Sequence, residues 1–253
     1  PAEARAAVAV ALDEAYAPRF AGDAIAASRL GQVLALAERL DTLAGGFAAG
    51  LKPSGNKDPF ALRRNALGLA RTLIEGGLDL NLLGMLEVAI DNVGDSMARA
   101  QMVAVLDAAK TARQKGVATS DFQHSTARTS QHQVFELYDF ILERLRSYFA
   151  ERGVGAALFD AVAATKPVSL SDFAERLSAL QRFAELPEAA ALAAANKRAR
   201  NILKKFEGEL PEAIDTALFV EPAERALHDA LVAALADTDA ALAARDYVAV
   251  LSR

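Results

Sequence analysis

The residues best suited to chemistry stand together in the C-terminal third of the chain, as Asn196-Lys197-Arg198-Ala199-Arg200-Asn201 followed by Lys204-Lys205. Cations at this spacing share one side of a helix, where they can neutralise phosphate. Asparagine both donates and accepts, and so can position a sugar or a base edge. On a wheel turned about 100° per residue, Leu192, Ala195, Ala199, Ile202, Leu203 and Phe206 form the opposite, apolar arc. The plainer reading of this pattern is the solvated face of an amphipathic helix. The sharper reading makes Asn196, Lys197, Arg198, Arg200, Asn201 and Lys204 the contacts to a polyanion.

Other constellations carry less. Asp41 falls within the apolar arc Leu30, Val33, Leu34, Ala37, Leu40, Ala44, and Arg63 within the arc Leu62, Ala66, Leu67, Leu69, Ala70, Leu73, Ile74. A charge on a core-facing stripe is costly alone, so the two are expected to pair between neighbouring helices. Removing one partner of such a buried pair costs about 3–5 kcal/mol. Arg64, Arg71 and Glu75 occupy the other side of their helix, which makes the two arginines candidate phosphate contacts. His124, His132 and His228 are far apart in sequence, so no metal-ligand set and no catalytic residue is assigned. Gly50 and Gly55 have the separation of a phosphate loop, but Asn56-Lys57-Asp58 replaces its Gly-Lys-Ser/Thr ending and a helix pattern precedes it.

The elements that must position these groups are helices. Fifty-eight alanines and 34 leucines favour helix over strand, and the absence of cysteine excludes disulfides, thiolate metal sites and thiol nucleophiles. No apolar run is long enough for a membrane span, and the N-terminus lacks a signal-peptide pattern. A first helix with Val8, Ala11, Leu12 and Ala15 on one side ends near Pro18, and Ser28 is the N-cap of a second. Asp58 as N-cap, Pro59 at the first helical position and Gly76-Gly77 as the stop delimit a third. A further helical region spans about 79–112. Phe135, Tyr138, Leu142, Leu145 and Phe149 then mark an aromatic helix stopped by Gly153, and Pro167, Pro187, Pro211 and Pro222 punctuate three more blocks.

The polar stretch 113–133 reads as a linker between helical domains at 1–112 and 134–253. Formal charge is −5 overall, which argues against a general nucleic-acid binder. Its distribution is uneven: residues 176–205 carry seven Lys or Arg against two Glu, whereas 206–253 carry three against ten Asp or Glu. A start at Pro1 and an uncapped apolar pattern running to Arg253 read as a piece excised from a longer chain.

Three strings carry a family likeness. Leu40-Asp41-Thr42-Leu43-Ala44-Gly45 is followed by Gly50-Leu-Lys-Pro-Ser-Gly-Asn-Lys-Asp-Pro-Phe-Ala-Leu-Arg-Arg-Asn-Ala-Leu-Gly68; the others are Tyr16-Ala-Pro-Arg-Phe-Ala-Gly22 and Ala193-Ala-Ala-Asn-Lys-Arg-Ala-Arg-Asn-Ile-Leu203. In this order they closely resemble the β subunit of the bacterial heterotetrameric glycyl-tRNA synthetase, with residues 107–133 matching poorly. The resemblance implies an all-α fragment: the later part of an HD-like helical domain, then a helical, DALR-like anticodon-binding domain. It also implies glycine-specific tRNA and the α subunit of an α2β2 tetramer as partners, a cytoplasmic location and no membrane. Glycine, ATP and Mg2+ chemistry would lie in the α subunit, with no cofactor in this fragment. Asp41 resembles the last aspartate of metal-dependent HD phosphohydrolases, but the upstream histidines have no counterpart here and His228-Asp229 lies elsewhere. An HD-type phosphohydrolase and a helical interaction module without nucleic-acid binding are the alternatives.

Overall fold

Ser28 begins the structural core. In the computed structural model, which describes residues 2–115, 130–206, 208 and 213–253, its hydroxyl accepts from the Gly31 N–H at 2.9 Å and starts helix α2, Arg29–Ala48. Before it comes α1, Ala2–Glu14; after it come α3, Leu62–Glu75, and α4, Leu82–Lys115. Next are α5, Ser130–Ala150, α6, Ala156–Ala163, and α7, Leu170–Ala184. Helices α8, Pro187–Leu203, α9, Pro222–Ala243, and α10, Tyr247–Leu251, complete the order. Among the described residues there is no strand, only an isolated bridge between Ser54 and Lys57, so the fold is all-α.

Local signals place most boundaries. Gly77, at φ +59°, ends α3: its N–H reaches the Ile74 carbonyl and that of Leu78 reaches Leu73, closing the carbonyls that the helix end leaves open. Gly153, at φ +83°, does the same for α5. Pro187 and Pro222 sit in the first turn of α8 and α9, and Glu221 with Glu224 forms a capping box. The start of α3 differs from expectation. The Asp58 carboxylate does cap, accepting from Leu62 and Arg63 N–H at 2.8 and 2.9 Å, but Pro59 remains in a turn and the helix opens after Ala61, at φ +54°.

The chain divides into two compact units, Pro1–Phe173 and Ala174–Arg253, and the division falls inside α7. The polar stretch 113–133 overlaps residues outside the described set, as do Pro211 and His124. In the first unit α2 packs against α1, α3 and α4, and α5 against α3 and α4. Its core holds Leu36, Leu43 and Phe47 of α2, Leu62, Leu69 and Leu73 of α3, and Leu137, Ile141 and Leu145 of α5. Phe149, Phe159 and Phe173 stack around one another with centroids 5.1–6.2 Å apart. In the second unit α9 and α10 pack together, and α9 has no buried residue.

The buried stripe of α2 is Gly31, Gln32, Ala35, Leu36, Arg39, Leu43, Ala44, Gly46 and Phe47, which keeps only Ala44 of the arc that begins at Leu30. Leu30 is 44% and Val33 59% exposed. Small residues set this rotation, because they let α3 come close. A Cβ at Gly46 would lie 2.9 Å from the Leu62 side chain, and one at Gly68 would lie 2.5 Å from Arg39 Nε.

Candidate nucleic-acid interface

Four arginines of α2 and α3 have different environments. Arg39 is buried, and its guanidinium donates to the carbonyls of Ala35 at 2.9 Å, Tyr16 at 3.0 Å and Pro18 at 3.2 Å. Burial pushes its pKa below the usual arginine range, and the nearby charge of Arg64 adds to that. Arg71 is also buried: it bonds the carbonyls of Ala21 and Asp23 at 2.9 and 2.8 Å and pairs with Glu75 at 2.6 Å. The expectation that Arg71 faces outward toward phosphate is therefore corrected. Together Arg39 and Arg71 pin the loop between α1 and α2 by its carbonyls, which replaces the water those groups would otherwise bind.

Arg63 and Asp41 do not form the expected pair. Arg63 donates to the Gly55 carbonyl at 2.7 Å, and Asp41 is exposed on the outer side of α2, lining a hollow of about 610 Å³ with Leu40, Leu80, Met85 and Val88. The cause is the rotation of α2, which turns Asp41 to solvent and removes the penalty that a partner would have to offset.

Arg64 is exposed and, among the described residues, has no hydrogen-bond or ion-pair partner. It opens onto a cleft of about 340 Å³ shared with Phe20, Arg63, Leu67, Arg144 and Ser147. Arg144 pairs with Glu143 at 2.8 Å, lies 5.5 Å from the Phe140 ring centroid, and leaves its buried Nε without a partner. Phe20 falls within the string Tyr16–Gly22, but nothing in the sequence joins it to Arg144, because a loop residue and a residue of the distant helix α5 share no spacing.

Helix α8 carries the basic string. Asn196, Lys197, Arg198, Arg200, Asn201 and Lys204 are all exposed, and among the described residues none of the four cations is engaged in an ion pair. Lys197, Asn201 and Lys205 recur every four residues and, with Ala194, Arg198 and Ile202, line a shallow groove of about 330 Å³. Lys205 lies outside the six candidates, yet shares the groove. The apolar arc is exposed as well: Leu192 is 60% and Ile202 63% accessible. Lys204 and Lys205 follow the last turn, where the negative end of the helix dipole favours cations.

Among the described residues no three His, Asp or Glu side chains converge as a metal site, and no helix is long and apolar enough to cross a membrane. His228 faces Asp229 at 3.4 Å and meets the Phe219 ring edge-on at 5.5 Å.

A sequence profile for the family described as "Glycyl-tRNA synthetase beta subunit" matches residues 2–164. The chain belongs to the glycyl-tRNA synthetase beta subunit family. Its similarity to individual members extends beyond the profile and takes in α8. It is 56% identical over 246 residues to the "Glycine--tRNA ligase beta subunit" of Xanthomonas campestris pv. campestris (strain 8004), covering 97% of this chain and 32% of that protein. It is 52% identical to the same-named protein of Xylella fastidiosa (strain Temecula1 / ATCC 700964), covering 97% of this chain and 34% of that one. For Pseudomonas aeruginosa (strain LESB58) the identity is 42%, with 97% and 31% covered. The chain thus spans about a third of the length of the beta subunits it matches.

Proposed function

We propose that this chain is a tRNA-recognition part of a glycine–tRNA ligase and that α8 supplies its basic contact surface. The carrying observation is the exposed, unpaired row Lys197, Arg198, Asn201 and Lys205 around one groove, in a chain of this family. Lys and Arg neutralise backbone phosphate and set register, while Asn196 and Asn201 are placed to discriminate a sugar or base edge. On this reading residues 134–253 correspond to an anticodon-binding domain and residues 1–112 to the later part of an HD-like domain. Glycine, ATP and Mg2+ chemistry belongs to the α subunit of an α2β2 enzyme working in the cytoplasm, and no catalytic residue is assigned to this chain.

The test is a titration of glycine-specific tRNA, at about 50 and 200 mM salt, against the chain and its Lys197→Ala/Arg198→Ala/Lys204→Ala variant. Removing one cation from a phosphate should flatten the slope of log K against log salt by about 0.9. The triple variant is expected to bind more weakly and with a visibly shallower slope. An unchanged slope and affinity would remove α8 from the interface.

A further inference from the structure

The cleft at Phe20, Arg63, Arg64 and Arg144 belongs to the first unit, whereas α8 belongs to the second. Three features make it more than a chance gathering of surface arginines. Phe20 is 62% exposed, a large aromatic ring held toward solvent. It is held there by backbone: Arg39 fixes the carbonyls of Tyr16 and Pro18 on one side of it, and Arg71 fixes those of Ala21 and Asp23 on the other. A ring presented by a pinned loop loses little freedom when something stacks on it, so the ordering cost of binding is already met. The cations are also incompletely used. Arg64 has no partner among the described residues, Arg63 spends one nitrogen on Gly55, and Arg144 has Glu143 but keeps a buried Nε unbonded. Three guanidiniums and no carboxylate line the cleft, Glu143 reaching Arg144 from outside that lining, within a chain of net charge −5.

Planar guanidiniums match the paired oxygens of a phosphodiester, and an exposed aromatic face offers stacking to a base of any identity. A base within a duplex is already stacked, so only an unpaired nucleotide can use both halves of the site. We propose that this cleft binds an unpaired nucleotide of tRNA, with its phosphate on Arg64, Arg63 and Arg144 and its base on Phe20. The proposal rests on the reading of the chain as a tRNA-binding part, and it adds a second contact region independent of α8.

Phe20→Trp tests it directly, because the sequence contains no tryptophan and the substitution introduces the sole indole. Adding glycine-specific tRNA should quench its emission, with the same midpoint as binding followed by anisotropy of labelled tRNA. Phe20→Ala should weaken binding about five-fold or more and leave the salt slope unchanged, since removal of a stack releases no counterions. Arg64→Gln should flatten the slope by about 0.9. Both side chains are exposed, and unaltered circular dichroism will verify that the variants fold.

Repeating the quenching experiment in the α8 triple variant separates the two regions. Quenching that persists there at raised tRNA concentration supports an independent cleft, whether or not the α8 substitutions weaken binding. Binding without quenching overturns the cleft alone, and no binding at all overturns both. Equal quenching by a blunt, fully paired RNA duplex would overturn the assignment to an unpaired nucleotide.

Discussion

Arg39, Arg63, Arg64 and Arg71 are one side chain in four roles, and what separates them is the acceptors within reach. Arg71 meets two loop carbonyls and a carboxylate, whereas Arg64 meets none among the described residues. Replacing Arg71 by Met keeps the stem and removes every donor, which strands two carbonyls and leaves Glu75 with only the Tyr148 hydroxyl in a partly dry site. The cost should be about 3–5 kcal/mol, read as a lower urea midpoint, while Arg64→Gln stays within about 0.5 kcal/mol of the parent. Equal midpoints for the two variants would contradict the division into a structural and a surface arginine. Neither role is legible on a helical wheel, which ranks positions by side-chain polarity. A long charged residue counts there as outward-facing even when it reaches a loop that offers carbonyls.

The seam between α3 and α5 is where elements, rather than residues, acquire a pH dependence. Tyr148 of α5 donates to Glu75 at the end of α3 at 2.9 Å. Burial alone would raise the Glu75 carboxyl, but the bonds from Arg71 and Tyr148 outweigh it and hold the group below its ordinary 4.5. Tyr138, buried and donating to the Pro167 carbonyl at 2.8 Å, is pushed up to about 12 by burial and, secondarily, by the charge of Asp139. The signs are opposite. Glu75 stabilises the fold above pH 4.5, and that contribution is lost as pH falls through its lowered folded value. Tyr138 stabilises fully below pH 10, and its share is lost as pH rises from there toward 12. Urea midpoints across pH should therefore show a smaller acid loss in Tyr148→Phe and a smaller alkaline loss in Tyr138→Phe; limbs identical to the parent's would refute the assignment. At this scale much was legible: Ser28, Gly76-Gly77, Gly153, Pro187 and Pro222 act on their immediate neighbours, and the structure uses all of them. The rotation of α2 was not, because its inward stripe is built from Gln32, Ala35, Arg39 and Gly46 as much as from leucine. The fit of Gly46 to Leu62 and of Gly68 to Arg39 is a property of two helices together.

Across the whole molecule, burial and charge are both unevenly divided. The first unit owns nearly all of the large buried side chains, whereas α8 buries only Ala189 and α9 none. Leu192, Ile202, Leu203, Leu227, Leu231 and Leu235 are between 48% and 72% exposed, so α8 rests largely on its own backbone bonds, and α9 on its own, on the Glu221–Glu224 cap and on its packing against the short α10. An isolated helix of that kind is marginal in water, because packing of an apolar face supplies most helical stability in proteins. The basic string then sits on an element that opens readily, flanked by a tail with ten acidic residues after Lys205. Such an arrangement favours ordering by a polyanion over rigid presentation: phosphate contacts on Lys197, Arg198 and Lys205 would offset their mutual repulsion along α8 while the acidic segment discourages contact elsewhere. Hydrogen exchange should therefore find the amides of α8 and α9 opening at far lower free energy than those of α2, α3 and α5. Saturating tRNA should slow exchange in α8 but leave α9 fast. Protection of free α8 equal to that of α3 would show that something other than RNA already covers its apolar arc.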